Sequence, residues 1–468
     1  MAKKPTAPDL SVLSHEEKDT LILSLFARLE ALESKVNKTS QNSSKPPSSD
    51  GLAKKTSSLR EPSGKPPGGQ AGHKGTTLKR VAEPTNTVHH PLPQQCMRCH
   101  SALLLEQAEI AERRQIIDVP STVFDVIEHR TLAVTCRCGQ THVSSFPSDV
   151  TELVQYGPNV RALGVHLTQG QMLPYARAAE LIHDVYGLSI SPATLLAWVA
   201  EARAALQTTA DRIADQLHAA PVLNADESGL RVAGKLHWLH IAASDTLTWY
   251  GVHAKRGMAA IEAHGILPNR LGVLVHDCWA PYWRLDDAVH ALCNAHLLRE
   301  LAYVKEVTGE QWPESMMQLL LSANRVCTAA RRQQRTLDAS DVAAFRTVYD
   351  ALVREGEAIH PETKQQPGQR GRGKQSVAAN LLRRFRLHAD AVLRFISNPA
   401  VPFTNNVGER AVRMPKVKQK ISGCFRTLAG AEHFCVIRSC LDTLRKQGHG
   451  MLTVLQRAFV GNPIQLTA

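Results

Sequence analysis

The apolar positions near the N-terminus repeat with the period of a helix. Their separations alternate between three and four residues, the spacing of an amphipathic helix or of a coiled-coil seam. The residues concerned are Ile22, Leu25, Leu29, Leu32 and Val36. Residues 1–36 are therefore predicted to form an N-terminal helix. Because the pattern covers only about two heptads, it fits a leucine zipper and a helix packed on its own protein equally well.

Residues 37–84 break this pattern. They are rich in Ser, Pro and Gly, and their basic residues outnumber their acidic ones. A segment of this composition cannot bury enough apolar surface to offset the entropy lost on ordering. We expect a disordered basic linker.

A helical period returns over residues 151–215. One helix is predicted from Ala176 to Tyr186, where Gly187 ends it, and Ser191 and Pro192 are the N-cap and first-turn residues of a second. The two helices form either a DNA-reading helix-turn-helix or a plain helical hairpin, because their connection is longer than the usual turn.

The period changes to two over residues 216–299, which predicts strands. The strands are expected at 221–226, 235–243, 246–253, 270–277 and 288–293, with a helix at 255–264 and another from His296 onward. Three strands, a helix, two strands and a helix is the order of an α/β ribonuclease H-like sheet. Residues 300–400 show about four amphipathic helices, including 345–357 and 379–395, and are predicted as a helical insertion. Residues 401–468 would complete the core.

The charge balance indicates the kind of partner. The 468 residues carry 55 Lys and Arg against 43 Asp and Glu, a net charge of +12, which favours a polyanion such as nucleic acid. No run of 18 apolar residues and no signal peptide is apparent in the sequence. We therefore expect no membrane partner and a cytoplasmic location, with nucleoid association when DNA is bound.

Four cysteines in residues 85–150 have the arrangement of a zinc ribbon. Cys96 and Cys99 form one pair and Cys136 and Cys138 another, and strand-like sequence separates the pairs. Four thiolates suit one structural Zn²⁺. The second pair is one residue tighter than usual, and Gly139 permits the required turn. The alternatives are four buried free cysteines, or His100 as a substitute ligand.

Three acids are placed where a metal site could form. Asp226 ends the first predicted strand and Asp277 the fourth, and these strands are neighbours in a ribonuclease H-like sheet. Glu409 lies further along the chain, in residues 401–468, and a helix packed beside that edge could bring it to the two aspartates. Three carboxylates suit Mg²⁺ or Mn²⁺, and two such ions can catalyse phosphodiester displacement. The alternative for each is a surface acid, and Glu409 could simply pair with Arg413.

The sequence after Glu409 is densely basic, as expected of a track for phosphates. The side chains predicted to bind DNA in this segment are Asn405, Asn406, Arg410, Arg413, Lys416, Lys418 and Lys420. The competing interpretation is a solvated basic face.

The chain resembles the transposases of the insertion sequence 66 family over nearly its whole length. The motifs that carry the resemblance are Ala225-Asp-Glu-Ser-Gly229, His276-Asp-Cys-Trp-Ala-Pro-Tyr282, Cys293-Asn-Ala-His296 and Asn405-Asn-Val-Gly-Glu-Arg-Ala-Val-Arg413. The resemblance implies a DDE catalytic triad of Asp226, Asp277 and Glu409.

The resemblance also implies a function. The protein would bind the inverted-repeat ends of a mobile element and catalyse metal-dependent strand cleavage and transfer into target DNA. A homo-oligomer and accessory proteins of the same element are further expected partners. The alternatives are a ribonuclease H-like nuclease without strand transfer, and a catalytically inactive DNA-binding accessory protein.

Overall fold

A computed structural model describes residues 14–36, 80–84, 86–90, 93–95, 98–99, 101–102, 110, 112–116, 124–363 and 375–467. The chain divides into two compact units, one of residues 56–130 and one of residues 1–55 with 131–468. In the smaller unit, Gln95 and Ala102 form an isolated β-bridge. The elements below belong to the larger unit. None of the helices in the described ranges is both long and apolar enough to cross a membrane.

The N-terminal helix α1 spans His15–Val36. It begins with a reciprocal cap, in which the Ser14 N–H donates to Glu17 Oε2 (2.8 Å) and the Glu17 N–H donates to Ser14 Oγ (3.2 Å). Ile22 and Leu25 are exposed on this helix. The leucine zipper stays a prediction.

A short antiparallel hairpin and three helices precede the main sheet. They are β1 (Ala133–Thr135), β2 (Thr141–Val143), α2 (Pro158–Val165), α3 (Tyr175–Tyr186) and α4 (Pro192–Ala219). Gly187 ends α3 with φ +68°, and the Ser191 side chain accepts the Thr194 N–H to cap α4. Both helix ends lie where the sequence places them.

The main sheet has five strands, with α5 (Met258–His264) between the third and fourth. They are β3 (Val222–Val232), β4 (Lys235–Ala243), β5 (Thr248–His253), β6 (Val273–His276) and β7 (Val289–Leu292). The spatial order is β5-β4-β3-β6-β7. The first three strands are antiparallel neighbours, whereas β6 pairs parallel with β3 and with β7. The fold is a mixed α/β sheet whose first and fourth strands are adjacent.

One strand is longer than its sequence predicts. The sequence predicts a strand ending at Asp226, but β3 continues to Val232 and places Asp226 in its middle. The reason is a two-residue turn at Ala233 and Gly234, whose φ angles are +48° and +76°. Two positive φ angles are typical of the tight hairpin turn that keeps two twisted strands paired. The second half of β3 therefore pairs with β4 up to the turn.

The insertion consists of helices that share a core with one side of the sheet. They are α6 (Asn294–Thr308), α7 (Trp312–Arg332), α8 (Ala339–Ile359), α9 (Val377–Leu387) and α10 (Ala389–Ser397). The single helix expected over 379–395 is two helices, because the backbone leaves helical geometry at His388. Val275 of β6 packs in the same buried cluster as Trp312 and Phe395. The insertion is thus an integral part of this unit.

Three helices complete the unit: α11 (Asn406–Ser422), α12 (Leu428–Lys446) and α13 (Met451–Phe459). A second buried cluster joins α12 and α13 to α4 and to the sheet, with Leu206, Leu223, Leu274 and Leu441 among its members. Residues 151–215 therefore share a core with the sheet, although the sequence suggests a separate helical segment. This core holds β3 and β6 in fixed register beside each other.

Candidate active site

Asp226 lies in the middle of β3, where its neighbours are negatively charged. Its Oδ1 accepts the backbone N–H of Glu227 (2.8 Å). Burial, and then the charges of Glu227, Asp277 and Glu409, raise the pKa of Asp226 well above its usual range. The three predicted carboxylates therefore interact with one another through Asp226.

Asp277 directly follows β6, the parallel neighbour of β3. Its Oδ1 accepts the backbone N–H of Trp279 (3.0 Å). Burial raises the pKa of Asp277, while that N–H and the charges of Arg256 and Arg384 act in the opposite direction. The ionised form of Asp277 is thus supported by two cationic side chains.

Glu409 lies one turn into α11, and Asn405 holds that turn against the sheet. The Asn405 side-chain Nδ2 donates to the Ala225 carbonyl (2.8 Å), one residue before Asp226. Its backbone N–H donates to Cys293 Sγ (3.1 Å), and its carbonyl accepts the Glu409 N–H (3.0 Å). These contacts connect the first turn of α11 to β3 and to the start of α6.

The carboxylate of Glu409 faces a thiol and an imidazole. Its Oε1 lies 3.8 Å from Cys293 Sγ and 3.6 Å from His296 Nδ1. Burial, followed by the Glu409 charge, raises the pKa of Cys293 to about 12. Burial lowers the pKa of His296 to about 3, and the nearby Arg299 and Arg384 act in the same direction. We call Cys293, His296 and Glu409 the Cys-His-Glu cluster.

This cluster is more compact than the predicted catalytic triad. Within the described ranges, it is the group of three potential metal-binding side chains whose ligand atoms all lie within 4.8 Å of one another. The ligand atoms of the predicted triad, Asp226, Asp277 and Glu409, do not all lie within that distance of one another. The cluster is not among the sites predicted from the sequence, although Cys293 and His296 both lie in the motif Cys293-Asn-Ala-His296. The spacing of three residues at the start of a helix was the available signal.

A second acid beside Asp226 is fully paired. Glu227 accepts hydrogen bonds from Arg256 Nη2 (2.5 Å) and from the Tyr282 hydroxyl (2.5 Å), and its side chain is 2% exposed. The Arg256 guanidinium also lies over the rings of Trp238 and Trp279, with distances to the ring centroids of 4.8 and 4.3 Å. Glu227 and Arg256 thus form a partly buried ion pair beside Asp226 and Asp277.

The helical insertion contributes Arg384, which no motif in the sequence marks as a functional residue. Its Nη1 donates to Glu300 Oε1 (2.6 Å), and its charge acts on Asp277. His388, which follows α9, stacks on Trp283 at a centroid distance of 3.7 Å. An arginine on an amphipathic helix has no chemical signature in sequence, and only its position beside Asp277 distinguishes it.

Two side chains predicted to bind DNA are buried. Asn405 is 1% exposed and its amide is used at Ala225. Lys418 is 9% exposed, and its Nζ lies 5.4 Å from the Phe425 ring centroid and 5.5 Å from that of Phe434. Burial lowers the pKa of Lys418 to about 8. Neither side chain is accessible to DNA in this conformation, which corrects the prediction for both.

The remaining predicted DNA contacts differ in exposure. Asn406, Arg410, Arg413 and Lys420 are exposed. Lys416 is half-buried, and its Nζ donates to the Gly229 carbonyl (3.1 Å). We call the exposed four the α11 surface.

The predicted zinc ribbon falls only partly on described residues. Cys136 and Cys138 lie in the loop between β1 and β2, where Gly139 has φ +89° and so provides the expected turn. Both cysteines are exposed, as is Cys99, so the alternative of four buried cysteines fails for these three. Cys96 and His100 lie outside the described residues. The ribbon and its zinc remain predictions.

Comparison with known proteins identifies the family of the chain. The model of a family described as "Transposase IS66 family" matches residues 154–433. A family of unknown function, DUF6444, matches residues 5–79. A protein of Sinorhizobium fredii (strain NBRC 101917 / NGR234) described as "Uncharacterized protein y4jD" is 22% identical over 391 residues, 78% of this chain and 73% of that protein. The transposase match includes Asp226, Asp277 and Glu409 and covers more than half of the 468 residues. The chain therefore belongs to the IS66 family of transposases.

Proposed function

We propose that the protein is a DDE transposase with a ribonuclease H-like core, which cuts and joins DNA at the ends of an insertion sequence. Water would attack the first phosphodiester, and the freed 3′-hydroxyl would attack the target strand. The observation that carries the proposal is which strands and helix supply the three acids. Asp226 and Asp277 come from adjacent parallel strands, and Glu409 comes from a helix that Asn405 connects to one of them.

The donor set fits hard divalent cations. Burial raises the pKa of Asp226, and the charges of Glu227, Asp277 and Glu409 raise it further. A cation among the acids would offset that repulsion. Carboxylate oxygens are the ligands that Mg²⁺ and Mn²⁺ prefer. We assign Asp226, Asp277 and Glu409 as the residues that would hold two such ions. When bound, ions of this class activate the attacking oxygen and stabilise the leaving one.

Other side chains of this chain prepare the site. Arg256 and Arg384 favour the ionised form of Asp277, so that this acid is ready to act as a ligand. Glu227 holds Arg256 in place beside it. Asn405 fixes the first turn of α11 and with it the backbone of Glu409. These contacts give the acids fixed positions, which phosphoryl transfer requires.

The α11 surface supports DNA binding next to these acids. Its members recur at intervals of four, three and seven residues, which places them on one face of the helix. The face begins within one turn of Glu409. Three of its side chains are cationic, and phosphate contacts of this kind supply affinity without sequence specificity.

The carboxylates provide the test of the chemistry. Asp226→Asn, Asp277→Asn and Glu409→Gln should each abolish Mg²⁺-dependent cleavage and joining of labelled DNA that carries the segments flanking the coding region. Their folding should be preserved, because removing one of several mutually repelling charges relieves repulsion. Asp286→Asn, an exposed acid on the loop before β7, is the matched control and should remain active.

The outcomes separate the competing functions. Near-normal cleavage by any one of the three variants would refute the assignment of that acid. Cleavage without joining by the unmodified protein would indicate a nuclease, and absence of any metal-dependent cutting would indicate an accessory DNA-binding protein.

A pair of lysines tests the α11 surface. Lys420→Met removes an exposed charge and Lys418→Met a buried one, so the change in net charge is the same. Only Lys420→Met should weaken DNA binding and reduce the salt slope, by about 0.9 for one lost phosphate contact. Equal effects from both lysines would argue against the surface.

A further inference from the structure

The Cys-His-Glu cluster has the dimensions of a site for a tetrahedral metal ion. Zinc bonds to sulfur, nitrogen and oxygen of roughly 2.0–2.3 Å imply ligand-to-ligand distances of about 3.3–3.8 Å in a tetrahedron. The measured separations are 3.8 Å from Cys293 Sγ to Glu409 Oε1 and 3.6 Å from His296 Nδ1 to the same oxygen. The remaining separation lies within 4.8 Å. Only small movements are needed for all three to share one ion.

Three backbone N–H groups converge on the sulfur of Cys293. Cys293 is the N-cap residue of α6, and its Sγ accepts the Asn405 N–H at 3.1 Å. The backbone N–H groups of Ala295 and His296 also act on this sulfur and stabilise its charged form. Burial and the Glu409 charge oppose that form, so a metal ion that binds here would have to displace the thiol proton. These backbone donors orient the sulfur, as the supporting contacts around metal ligands do.

His296 provides an independent observation. Its Nδ1 is buried and has no hydrogen-bond partner among the described residues. Buried polar atoms without a partner are rare in folded proteins, and an unplaced ion is one of the accepted reasons. This nitrogen is directed at the cluster, since Glu409 Oε1 is 3.6 Å away. A metal ion would complete its bonding.

We propose that Cys293, His296 and Glu409 bind a borderline-soft transition-metal ion of the zinc class, with a fourth position open to water. Sulfur and imidazole ligands select such ions over Mg²⁺. Because Glu409 also belongs to the predicted triad, an ion held here withdraws it from Asp226 and Asp277. Zinc-class ions therefore inhibit the Mg²⁺-dependent reaction. This consequence rests on the proposed function, whereas the binding of the ion does not.

Cadmium NMR on the full chain tests the binding directly. ¹¹³Cd²⁺ replaces zinc, and its chemical shift separates a site with one sulfur from the sulfur-rich ribbon. We expect a single-sulfur resonance that disappears in Cys293→Ser and in His296→Gln. It should persist in Cys327→Ser, which removes a buried cysteine of α7, and in Cys136→Ser, which alters only the ribbon signal.

Two results would overturn the binding proposal. One is the absence of a single-sulfur resonance in the unmodified protein. The other is its persistence in a folded Cys293→Ser or His296→Gln variant, with folding checked by circular dichroism. The two variants are independent, so either one decides the matter if the other does not fold.

Inhibition provides the second measurement. For each variant, the cleavage rate with zinc is compared with the zinc-free rate of the same variant. Loss of a ligand should weaken binding of the inhibiting ion by at least about 10–100-fold. Changes to residues that only support metal ligands already have effects of this size. Unchanged zinc sensitivity in both variants refutes the inhibitory role. A cadmium signal in a protein that never cleaves DNA refutes the proposed function and leaves the metal site standing.

Discussion

Two neighbouring asparagines give the sharpest test of how the site is built. Asn405 is buried and donates to the Ala225 carbonyl, whereas Asn406 is exposed on the α11 surface. Asn405→Ala leaves that carbonyl without its amide donor, a cost of about 1–3 kcal/mol. The loss is partly offset, because Asn405 Oδ1 is itself buried without a partner among the described residues. The side chain forms no helix cap, so no capping energy is lost.

The net destabilisation by Asn405→Ala should therefore be about 1 kcal/mol, the size of one ordinary hydrogen bond. Thermal unfolding should shift by no more than about 2–4 °C, the response of a domain of 150–250 residues. Cleavage should fall far more, by roughly 100-fold, because Glu409 follows Asn405 by one turn and a displacement of about 1 Å is costly to catalysis. DNA binding should be retained.

Asn406→Ala is the matched control. It should weaken DNA binding and leave the unfolding temperature unchanged, since it removes an exposed amide. The reasoning is refuted if Asn405→Ala cleaves DNA at a near-normal rate. It is also refuted if the two alanine variants lose DNA binding equally, because Asn405 would then be a DNA contact after all.

Three further predictions concern the ribbon, the linker and the insertion. Replacing Cys96 and Cys136 together should remove about one zinc per chain in metal analysis. Full retention of zinc would show that other residues are the ligands. Deleting residues 37–80 should weaken DNA binding and flatten its salt dependence, whereas an unchanged slope indicates a simple tether. Arg384→Gln removes a charge that lowers the pKa of Asp277, so cleavage should fall most at low pH. Arg383→Gln, which changes the residue before Arg384 on α9, should leave the pH–rate profile unchanged.

Local patterns in the sequence predict the elements because their causes are local. Gly187 ends α3 with a positive φ, and Ser191 caps α4 through its own side chain. The order of strands and helices in the sheet also follows from the period of apolar residues. The apolar pattern does not predict the length of β3, because the second half of this strand depends on the turn at Ala233 and Gly234. Ala-Gly is a weaker turn signal than Asn-Gly or Asp-Gly.

To predict which basic residues of α11 are exposed, the helical phase is needed as well as the charge. Gly408, Pro415 and Lys418 are buried in α11, and their separations of seven and three residues place them on one face. Lys418 therefore turns inward, while Lys420, two residues further on, turns outward. Charge density alone predicts DNA contact for both residues. The period of the helix would have distinguished them.

The site combines residues that are far apart in sequence, which is why its finer structure could not be read from motifs. Cys293 and Glu409 are separated by 116 residues, and the helical insertion fills most of that interval. The insertion cannot be a passive spacer, because Cys293 directly precedes α6, α9 carries Arg384 toward Asp277, and α11 returns to β3 through Asn405. Each end of the insertion thus meets the sheet at the acids. The position of Glu409 therefore depends on the packing of the whole unit, and the sequence near Glu409 does not determine it alone.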